Sequence, residues 1–575
     1  MDRDRSQTRD LQALTRRSGS RCPLSQAEFI GRLIDGLARG GTRRAVLSPG
    51  YRNAPVALAL RAHPQITTTV IVDERAAAFY ALGLSRASSA PVILSCTSGS
   101  ALANYLPAIV EAHRDRIPLV ILSADRPAEL QRAGAPQTMA QREIFANFVV
   151  FSDELAEPAH LDEDLMRTPW HTRVAMAISA ATADEGGPVH INLPLRKPLL
   201  PETLPPPTAN PPQLLCGRRQ LDRSQLGELC DHFAGAERPL IVVGPMIREA
   251  AGESAAQGAA LVRLAERSGW PLLADLLATC RPEATQVGDA IARQSDSAAP
   301  DAILWFGDAP ISAALLRFID RCPGPVARIG TGRTWRDPSF KTSLAVQAAP
   351  ADTADALDLP KTSESWRRSW QRTITDATQH LDSAREHGRF EGPVLAQALA
   401  AWPGNLVHVA NSTSIRDLDT FGHLRPGQRV LCNRGLNGID GTIATAAGEA
   451  ASLAQPLLTI IGDLALAHDI GALMHTPDTQ LVLLVINNGG GQIFRQLPVR
   501  EHPAFAKFFM TAMPTDLRTL AAATAWAYTA IDDDDGGNAL TEALQAGYER
   551  GRSIIELHFD ADAAFTARQS FWSAW

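Results

Sequence analysis

Three absences narrow the class of protein to which this 575-residue chain can belong. Its seven cysteines are scattered and form no CxxC pairs, which favours reduced thiols in a cytoplasm over a disulfide framework or a zinc site. No apolar run reaches the roughly 18 residues of a membrane span, and the first 20 residues lack the apolar centre of a signal peptide. We therefore expect a cytoplasmic protein without an integral membrane segment, in which residues 1–20 form a disordered tail.

A positive net charge is also absent. Lys+Arg 55 against Asp+Glu 62 gives −7, so no basic field would attract nucleic acid, and we expect no nucleic-acid partner. The acidic run 532–535 is short, and we interpret it as a solvated loop rather than a metal site. The remaining composition, 45% hydrophobic and 20% charged, is typical of a globular protein.

The chain is long enough for several domains. A proline-dense stretch at 196–213 and a polar, helix-prone stretch at 348–389 are typical of linkers. On either side of them, helical patterns alternate with short apolar runs that predict strands at 45–47, 67–72, 92–95, 119–122, 240–243, 272–274, 303–306, 406–409, 457–461 and 481–486. This alternation predicts an α/β protein with three doubly wound parallel-sheet domains, at 21–200, 214–347 and 385–575.

Polar residues follow two of the predicted strands. The strand 481–486 runs into the sequence NNGGG, and the strand 457–461 is followed by Gly462 and Asp463. In parallel sheets, ligands gather at the carboxyl ends of the strands. One carboxylate together with amide and main-chain carbonyls is a set of hard oxygen ligands that suits Mg²⁺ and a phosphate. The alternative is a tight turn in which Asp463 caps a helix.

These residues resemble the cofactor signature of thiamine-diphosphate enzymes, because Asp463 is followed 25 residues later by Asn488. The resemblance implies thiamine diphosphate and Mg²⁺, with Mn²⁺ as a possible substitute. It also implies that the metal is held by Asp463, Asn488 and the carbonyl of Gly490. Gly462 and Leu464 would then be cofactor-binding residues, although many members have a further glycine where Leu464 stands.

Longer motifs resemble one branch of these enzymes, the 2-succinyl-5-enolpyruvyl-6-hydroxy-3-cyclohexene-1-carboxylate (SEPHCHC) synthases of menaquinone biosynthesis. The motifs are DERAAAFYALGLSRAS, the segment from LSCTSGS to LSADRPAEL, GAPQTMAQREIF, GPVHINLPLRKPL, NSTSIR, NRGLNGIDGTIATAAG, IIGDLALAHDIGAL and VINNGGGQIF. The resemblance implies a pyrimidine-binding first domain, a central domain and a diphosphate-binding third domain. It further implies decarboxylation of 2-oxoglutarate, with 1,4-addition of the resulting carbanion to isochorismate, in a homodimer or homotetramer whose sites lie between subunits.

The cofactor needs a carboxylic acid that hydrogen-bonds its pyrimidine ring and so activates its own amino group as a base. Glu74 follows the predicted strand 67–72 directly and precedes an alanine-rich helix, so the resemblance assigns it this role. The alternative is that Glu74 only complements the dipole at the start of that helix.

Both implied substrates are dicarboxylates, which arginine binds well because its planar guanidinium matches a carboxylate. The matching motifs provide four arginines, two neutral hydrogen-bonding residues and three apolar residues that would hold the cofactor bent: Arg52, Arg126, Arg416 and Arg434; Gln137 and Ser412; Ile439, Ile493 and Phe494. Among them we expect Arg52, Gln137 and Arg416 to join Glu74 in catalysis.

The sequence departs from this branch in its substrate motifs. Ala313 stands where the branch has a substrate-binding lysine, and Arg317 or Arg333 could replace that charge. Smaller departures occur at Tyr51, Asn53, Leu436 and Asn437. Two alternatives therefore stay open: a related decarboxylase or carboligase with another acceptor, and a catalytically silent binding protein of the same fold.

Overall fold

The computed structural model describes residues 25–575 apart from 156–168, 201–211, 216, 247–250, 295–298, 333–335, 388, 478, 513–515 and 533–537. The predicted tail 1–20, Arg333 and most of the acidic run 532–535 lie outside the described residues. The described chain forms three parallel sheets with helices between the strands, which confirms the predicted fold class.

The first domain contains a six-stranded sheet. Its strands are β1 Arg44–Leu47, β2 Thr67–Val70, β3 Val92–Cys96, β4 Leu119–Asp125, β5 Phe151–Glu154 and β6 Val189–Pro194. Its helices are α1 Gln26–Arg39, α2 Ala54–Ala62, α3 Glu74–Ser88, α4 Ser100–Ala103, α5 Leu106–Arg114 and α6 Pro169–Thr182. The strand order is β2-β1-β3-β4-β6-β5, so the direction of winding reverses between β1 and β3.

The central domain contains a five-stranded sheet in the order β11-β10-β9-β7-β8. Its strands are β7 Pro239–Val243, β8 Leu272–Ala274, β9 Ala302–Phe306, β10 Val326–Gly330 and β11 Leu344–Gln347. Its helices, including the long helix that leads to the third domain, are α7 Arg223–Asp231, α8 Ala251–Ser268, α9 Gly288–Arg293, α10 Ala313–Asp320, α11 Pro350–Ala356 and α12 Glu364–His387.

The third domain repeats the connectivity of the first, with the strand order β13-β12-β14-β15-β17-β16. Its strands are β12 Leu406–Val409, β13 Arg429–Leu431, β14 Leu457–Gly462, β15 Leu481–Asn487, β16 Ala527–Asp532 and β17 Ser553–His558. Its helices are α13 Glu391–Ala401, α14 Thr413–Phe421, α15 Thr442–Leu453, α16 Asp463–His468, α17 Ala472–His475, α18 Leu517–Ala523, α19 Asn538–Arg550 and α20 Ala561–Ser573.

The first and third domains share one hydrophobic core, because helix α3 lies directly on helix α15. Glycines allow this close approach. A Cβ atom at Gly83 would lie 2.0 Å from the carbonyl oxygen of Thr445, and one at Gly448 would lie 2.2 Å from that of Tyr80. The contact fixes the position of Glu74, which begins α3, relative to the third sheet.

None of the helices in the described part of the chain is both long and apolar enough to cross a membrane.

Candidate active site

The ends of strands β14 and β15 lie side by side, because Gly462 pairs with Ile486 in the parallel register. Asp463 begins α16 at this edge. One of its oxygens (Oδ1) accepts a hydrogen bond from the Leu464 N–H at 2.8 Å, and the other (Oδ2) accepts from the Gly490 N–H at 2.7 Å. Burial raises the pKa of Asp463 despite these hydrogen bonds, so a bound cation would stabilise its charged form.

Asn488 follows β15 and is buried. Its side-chain nitrogen donates to Glu391 Oε1 at 2.9 Å, which leaves the amide oxygen as the atom that can bind a cation. Glu391 is itself held by Arg568, whose guanidinium lies 3.0 Å from Glu391 Oε2 and also pairs with Asp417 at 2.5 Å. Burial opposes the charge on Glu391, but Arg568 and the Asn488 amide outweigh it and lower the pKa of Glu391.

The three glycines after Asn488 all have positive φ angles, of 76°, 77° and 38° for residues 489–491. Side chains are strongly disfavoured there. A Cβ atom at Gly490 would also lie 2.3 Å from the carbonyl oxygen of Met510. The glycines therefore let the main chain turn beside Asp463.

Within the described ranges, no group of three or more histidine, cysteine or acidic side chains could hold a metal ion. The edge next to Asp463 instead offers one carboxylate, one oriented amide oxygen and the main-chain turn at 489–491. This donor set fits a hard divalent cation that is also bound by phosphate and water.

Glu74 begins helix α3 at the edge of the first sheet, but Asp73 is the residue that caps the helix. The Asp73 carboxylate accepts from the Ala76 N–H at 3.0 Å. Among the residues that the structure describes, no hydrogen bond or ion pair reaches the Glu74 carboxylate. Glu74 lies near Cys96. Burial raises the pKa of the Cys96 thiol, and the nearby Glu74 carboxylate raises it further. Asp73 therefore caps the helix, and Glu74 lies in the first turn, where an acidic side chain also complements the helix dipole.

Two of the predicted substrate arginines lie together in the first domain. Arg52 and Arg126 are both buried, and Gln137 Oε1 accepts from the Arg126 guanidinium at 3.4 Å. Burial and the charge of Arg126 lower the pKa of Arg52. Other hydrogen bonds orient the pair, from Arg52 to the Leu195 carbonyl at 2.7 Å and from Arg126 to the Ser98 hydroxyl. Two adjacent like charges form a strong site for an anion.

The other two arginines form a second pair in the third domain. Arg416 donates to the main-chain carbonyl of Ser412, and Arg434 donates to Asn411 Oδ1 at 2.8 Å. Desolvation and the charge of Arg434 lower the pKa of Arg416. Ser412 has a φ angle of 75°, a conformation that non-glycine residues adopt mainly where the surrounding structure enforces it.

The three predicted apolar residues lie in two loops of the third domain. Ile439 is 36% exposed, and Ile493 and Phe494 are half-buried in a short 3-10 helix, 492–496. Phe494 packs edge-on against Phe509, with 5.4 Å between the ring centroids. Ile439 thus has free apolar surface for a ligand.

Residues 31–144 match the family described as thiamine pyrophosphate enzyme, N-terminal TPP binding domain. The chain is similar to SEPHCHC synthases along most of its length. It is 38% identical to that of Geobacillus kaustophilus over 85% of this chain and 87% of the relative. It is 33% identical to that of Listeria innocua over 95% and 97%, and 35% identical to that of a Roseiflexus strain over 93% and 96%. The chain belongs to the SEPHCHC synthase family.

A solved structure shares the fold of this SEPHCHC synthase family member. The crystal structure of benzoylformate decarboxylase from Polynucleobacter necessarius matches with a TM-score of 0.68 and 16% identity, over 94% of this chain and 99% of the other. At that identity the likeness concerns the fold alone.

The structure explains two of the four smaller departures from the SEPHCHC synthase motifs. Asn53 is buried and donates to the Ser48 carbonyl at 3.0 Å, so it stabilises the loop. Asn437 has a φ angle of 60°, which asparagine tolerates better than most residues. Tyr51 and Leu436 are 60% and 52% exposed, and nothing in the structure explains them.

Ala313, where the resemblance implies a lysine in other members, lies at the surface. Ala313 begins helix α10, where Ser312 caps the helix by accepting from the Leu315 N–H at 3.0 Å. Arg317, one turn further along, is exposed. Arg333, the other predicted substitute, lies outside the described residues.

Sequence reasoning missed the residues that orient the predicted ligands. Glu391 and Arg568 hold Asn488, Asn411 holds Arg434, and Ser98 contacts Arg126. Asn411 and Ser98 lie inside quoted motifs, so the motifs could have indicated them. Glu391 and Arg568 lie outside every motif, and only the fold brings them to the site.

Proposed function

We propose that this protein decarboxylates 2-oxoglutarate and adds the remaining four-carbon unit to isochorismate, giving SEPHCHC. The observation that carries the proposal is the pairing of arginines at the carboxyl ends of strands in both domains, within a chain of the SEPHCHC synthase family. Four cationic side chains suit two dicarboxylate substrates, whereas a silent binding protein has no need of them.

When bound, thiamine diphosphate supplies the thiazolium carbon at which a 2-oxo acid is decarboxylated and from which the remaining unit is transferred. Asp463, the Asn488 amide oxygen and the Gly490 carbonyl would hold Mg²⁺ and through it the diphosphate. Glu74 would hold a proton against the ring nitrogen of the pyrimidine, since its carboxylate has no capping duty. Ile439, Ile493 and Phe494 would line the apolar side of the cofactor, with Gly462 and Leu464 beside its diphosphate.

Arg52 and Arg126, with Gln137, would bind the carboxylate groups of one substrate from the first domain. Arg416 and Arg434, with Ser412, would bind the carboxylate groups of the other substrate from the third domain. Two separate cationic pairs keep the charges of the two substrates apart. They also orient each substrate for the transfer, and this orientation is the main contribution of such residues to the rate.

We further propose a homodimer or larger assembly whose sites combine the first domain of one subunit with the third domain of another. Apolar side chains near Glu74 support this arrangement, because Val72 and Met474 are each 64% exposed. Helix α17, which carries Met474, begins beside Asp73. A second subunit would cover this surface, which a lone chain leaves in water.

The test supplies 2-oxoglutarate to the protein with thiamine diphosphate and Mg²⁺, with and without isochorismate, and identifies the product by mass. We expect an adduct that retains four carbons of 2-oxoglutarate, together with one CO₂ per adduct. Release of CO₂ without an adduct at saturating isochorismate would show that the acceptor is another molecule. Absence of both, in a protein that binds the cofactor, would overturn the proposal as a whole.

A further inference from the structure

A buried carboxylate of the first domain contacts the main chain of a loop in the third domain. Glu111 lies on helix α5, is 4% exposed, and accepts a hydrogen bond from the Gly435 N–H at 2.8 Å and another from the Leu436 N–H at 2.8 Å. Each carboxylate oxygen receives one of these bonds. The loop approaches so closely that a Cβ atom at Gly435 would lie 2.9 Å from the Glu111 carboxylate.

The contacted loop, residues 433–440, carries Arg434 and Ile439. One side chain holds both of its flanks. Asn411 donates to the carbonyls of Asn433 at 2.7 Å and Gly438 at 2.8 Å, which fixes the flanks of the loop. Glu111 alone among the described residues bonds the main-chain N–H groups that directly follow Arg434.

A cluster of charges holds the Glu111 carboxylate in place. Arg86 lies 3.7 Å from it, and also pairs with Asp115 at 3.2 Å and with Glu449 at 3.3 Å. Burial and Asp115 raise the pKa of Glu111 to about 7, against the opposing effects of Arg86 and the two main-chain N–H groups. Among the described residues, Glu111 accepts from the loop N–H groups and Asp115 does not, whereas Arg86 donates to Asn433 Oδ1 at 2.5 Å.

We propose that Glu111 is a positioning residue, which fixes the 433–440 loop so that the Arg434 guanidinium faces the substrate carboxylate. This inference rests on the proposed function, since it concerns the arginine assigned there to substrate binding. A carboxylate suits the task because it accepts two hydrogen bonds at once, whereas an amide of the same shape would present one N–H₂ group to a donor.

The test compares Glu111→Gln with Asp115→Asn, which alters the same charge cluster but removes no acceptor of the loop N–H groups. The first measurement is amide hydrogen exchange of residues 433–440 at pH 8 in the cofactor-loaded protein. We expect exchange at Leu436 or Gly435 to be at least about tenfold faster in Glu111→Gln, and unchanged in Asp115→Asn.

The second measurement is steady-state kinetics with both substrates. We expect Glu111→Gln to raise KM for the substrate bound by Arg434 about tenfold, with the affinity for thiamine diphosphate within about twofold of wild type. Equal effects in the two variants, or unchanged exchange and unchanged KM in Glu111→Gln, would overturn the proposal. The exchange measurement does not depend on turnover, so it tests the loop contact even if the wild-type protein makes a different product.

Discussion

At the scale of single residues, two adjacent asparagines have separate acidic partners. Asn488 donates to Glu391, whereas Asn487 donates to Glu556 at 2.6 Å. Only Asn488 is a predicted metal ligand. Glu556 is therefore a matched control for Glu391, because each carboxylate accepts a hydrogen bond from one of the two neighbouring amides.

We expect Glu391→Gln to weaken Mg²⁺ binding about 10- to 100-fold, as is usual when the partner of a ligand is lost. The glutamine cannot accept from both Arg568 and Asn488, so the amide of Asn488 would lose its orientation. The measurement is the Mg²⁺ concentration that gives half-maximal binding of thiamine diphosphate. Glu556→Gln should leave that concentration close to the wild-type value. An equal loss in both variants would argue against a specific role for Glu391.

Replacing Glu74 by glutamine tests the predicted activating acid. We expect Glu74→Gln to bind thiamine diphosphate normally in calorimetry but to lose about 10²- to 10⁴-fold in kcat, the usual contribution of a positioned acid or base. Asp73→Asn is the matched control, since asparagine also caps helices well and should retain activity. A rate near that of wild type in Glu74→Gln would remove this residue from its assigned role.

At the scale of elements, the sequence predicted those strands that are continuous apolar runs, such as β4 and β15. It did not predict seven of the described strands, among them β6 and β17, although these two are largely buried. Their runs are interrupted by buried polar side chains with partners inside the fold: Asn192 donates to Glu154 at 2.8 Å, and Glu556 accepts from Asn487. Such partners come from distant parts of the chain, so local patterns cannot indicate them.

Local sequence patterns also predicted only part of the candidate site. Arg52, Arg126, Asp463 and Asn488 each follow a predicted strand, so their approximate locations could be predicted from the sequence. Their pairing and orientation could not be predicted, because these depend on contacts between distant parts of the chain. Arg568 and Glu391, for example, are in contact although they are 177 residues apart in sequence. The predicted strand 67–72 was also too long, since β2 ends at Val70.

The contact between helices α3 and α15 gives a prediction about stability. In Gly83→Ala the new methyl group would meet the Thr445 carbonyl, and we expect a loss of about 1–3 kcal/mol or more in the free energy of unfolding. Gly227→Ala is the control, because no atom lies within 4 Å of a Cβ atom there and alanine favours helix. Denaturant unfolding of both variants measures the difference, and equal stability would contradict the packing argument.

At the scale of the whole molecule, the proposed composite sites need two chains. We expect Glu74→Gln and Asp463→Asn, each inactive alone, to regain up to about a quarter of wild-type activity when they are co-expressed. Half of the randomly assembled dimers would then contain both variants, and each of these would hold one site with both wild-type residues.

If the cofactor site lay within a single chain, co-expression would restore no activity. Sedimentation of the mixed sample is the necessary control, since it shows whether the variants still assemble. A monomer with full activity at micromolar concentration would contradict the proposal directly.

The shared connectivity of the first and third sheets puts their proposed functional residues in matching places. Glu74 and Arg434 follow the equivalent edge strands β2 and β13, and Arg126 and Asn488 follow the equivalent strands β4 and β15. Such correspondence is what descent from one doubled ancestral unit would leave behind. Each copy could then evolve to bind a different part of a coenzyme, one the organic ring and the other the charged tail. Both would keep the fold that they inherited.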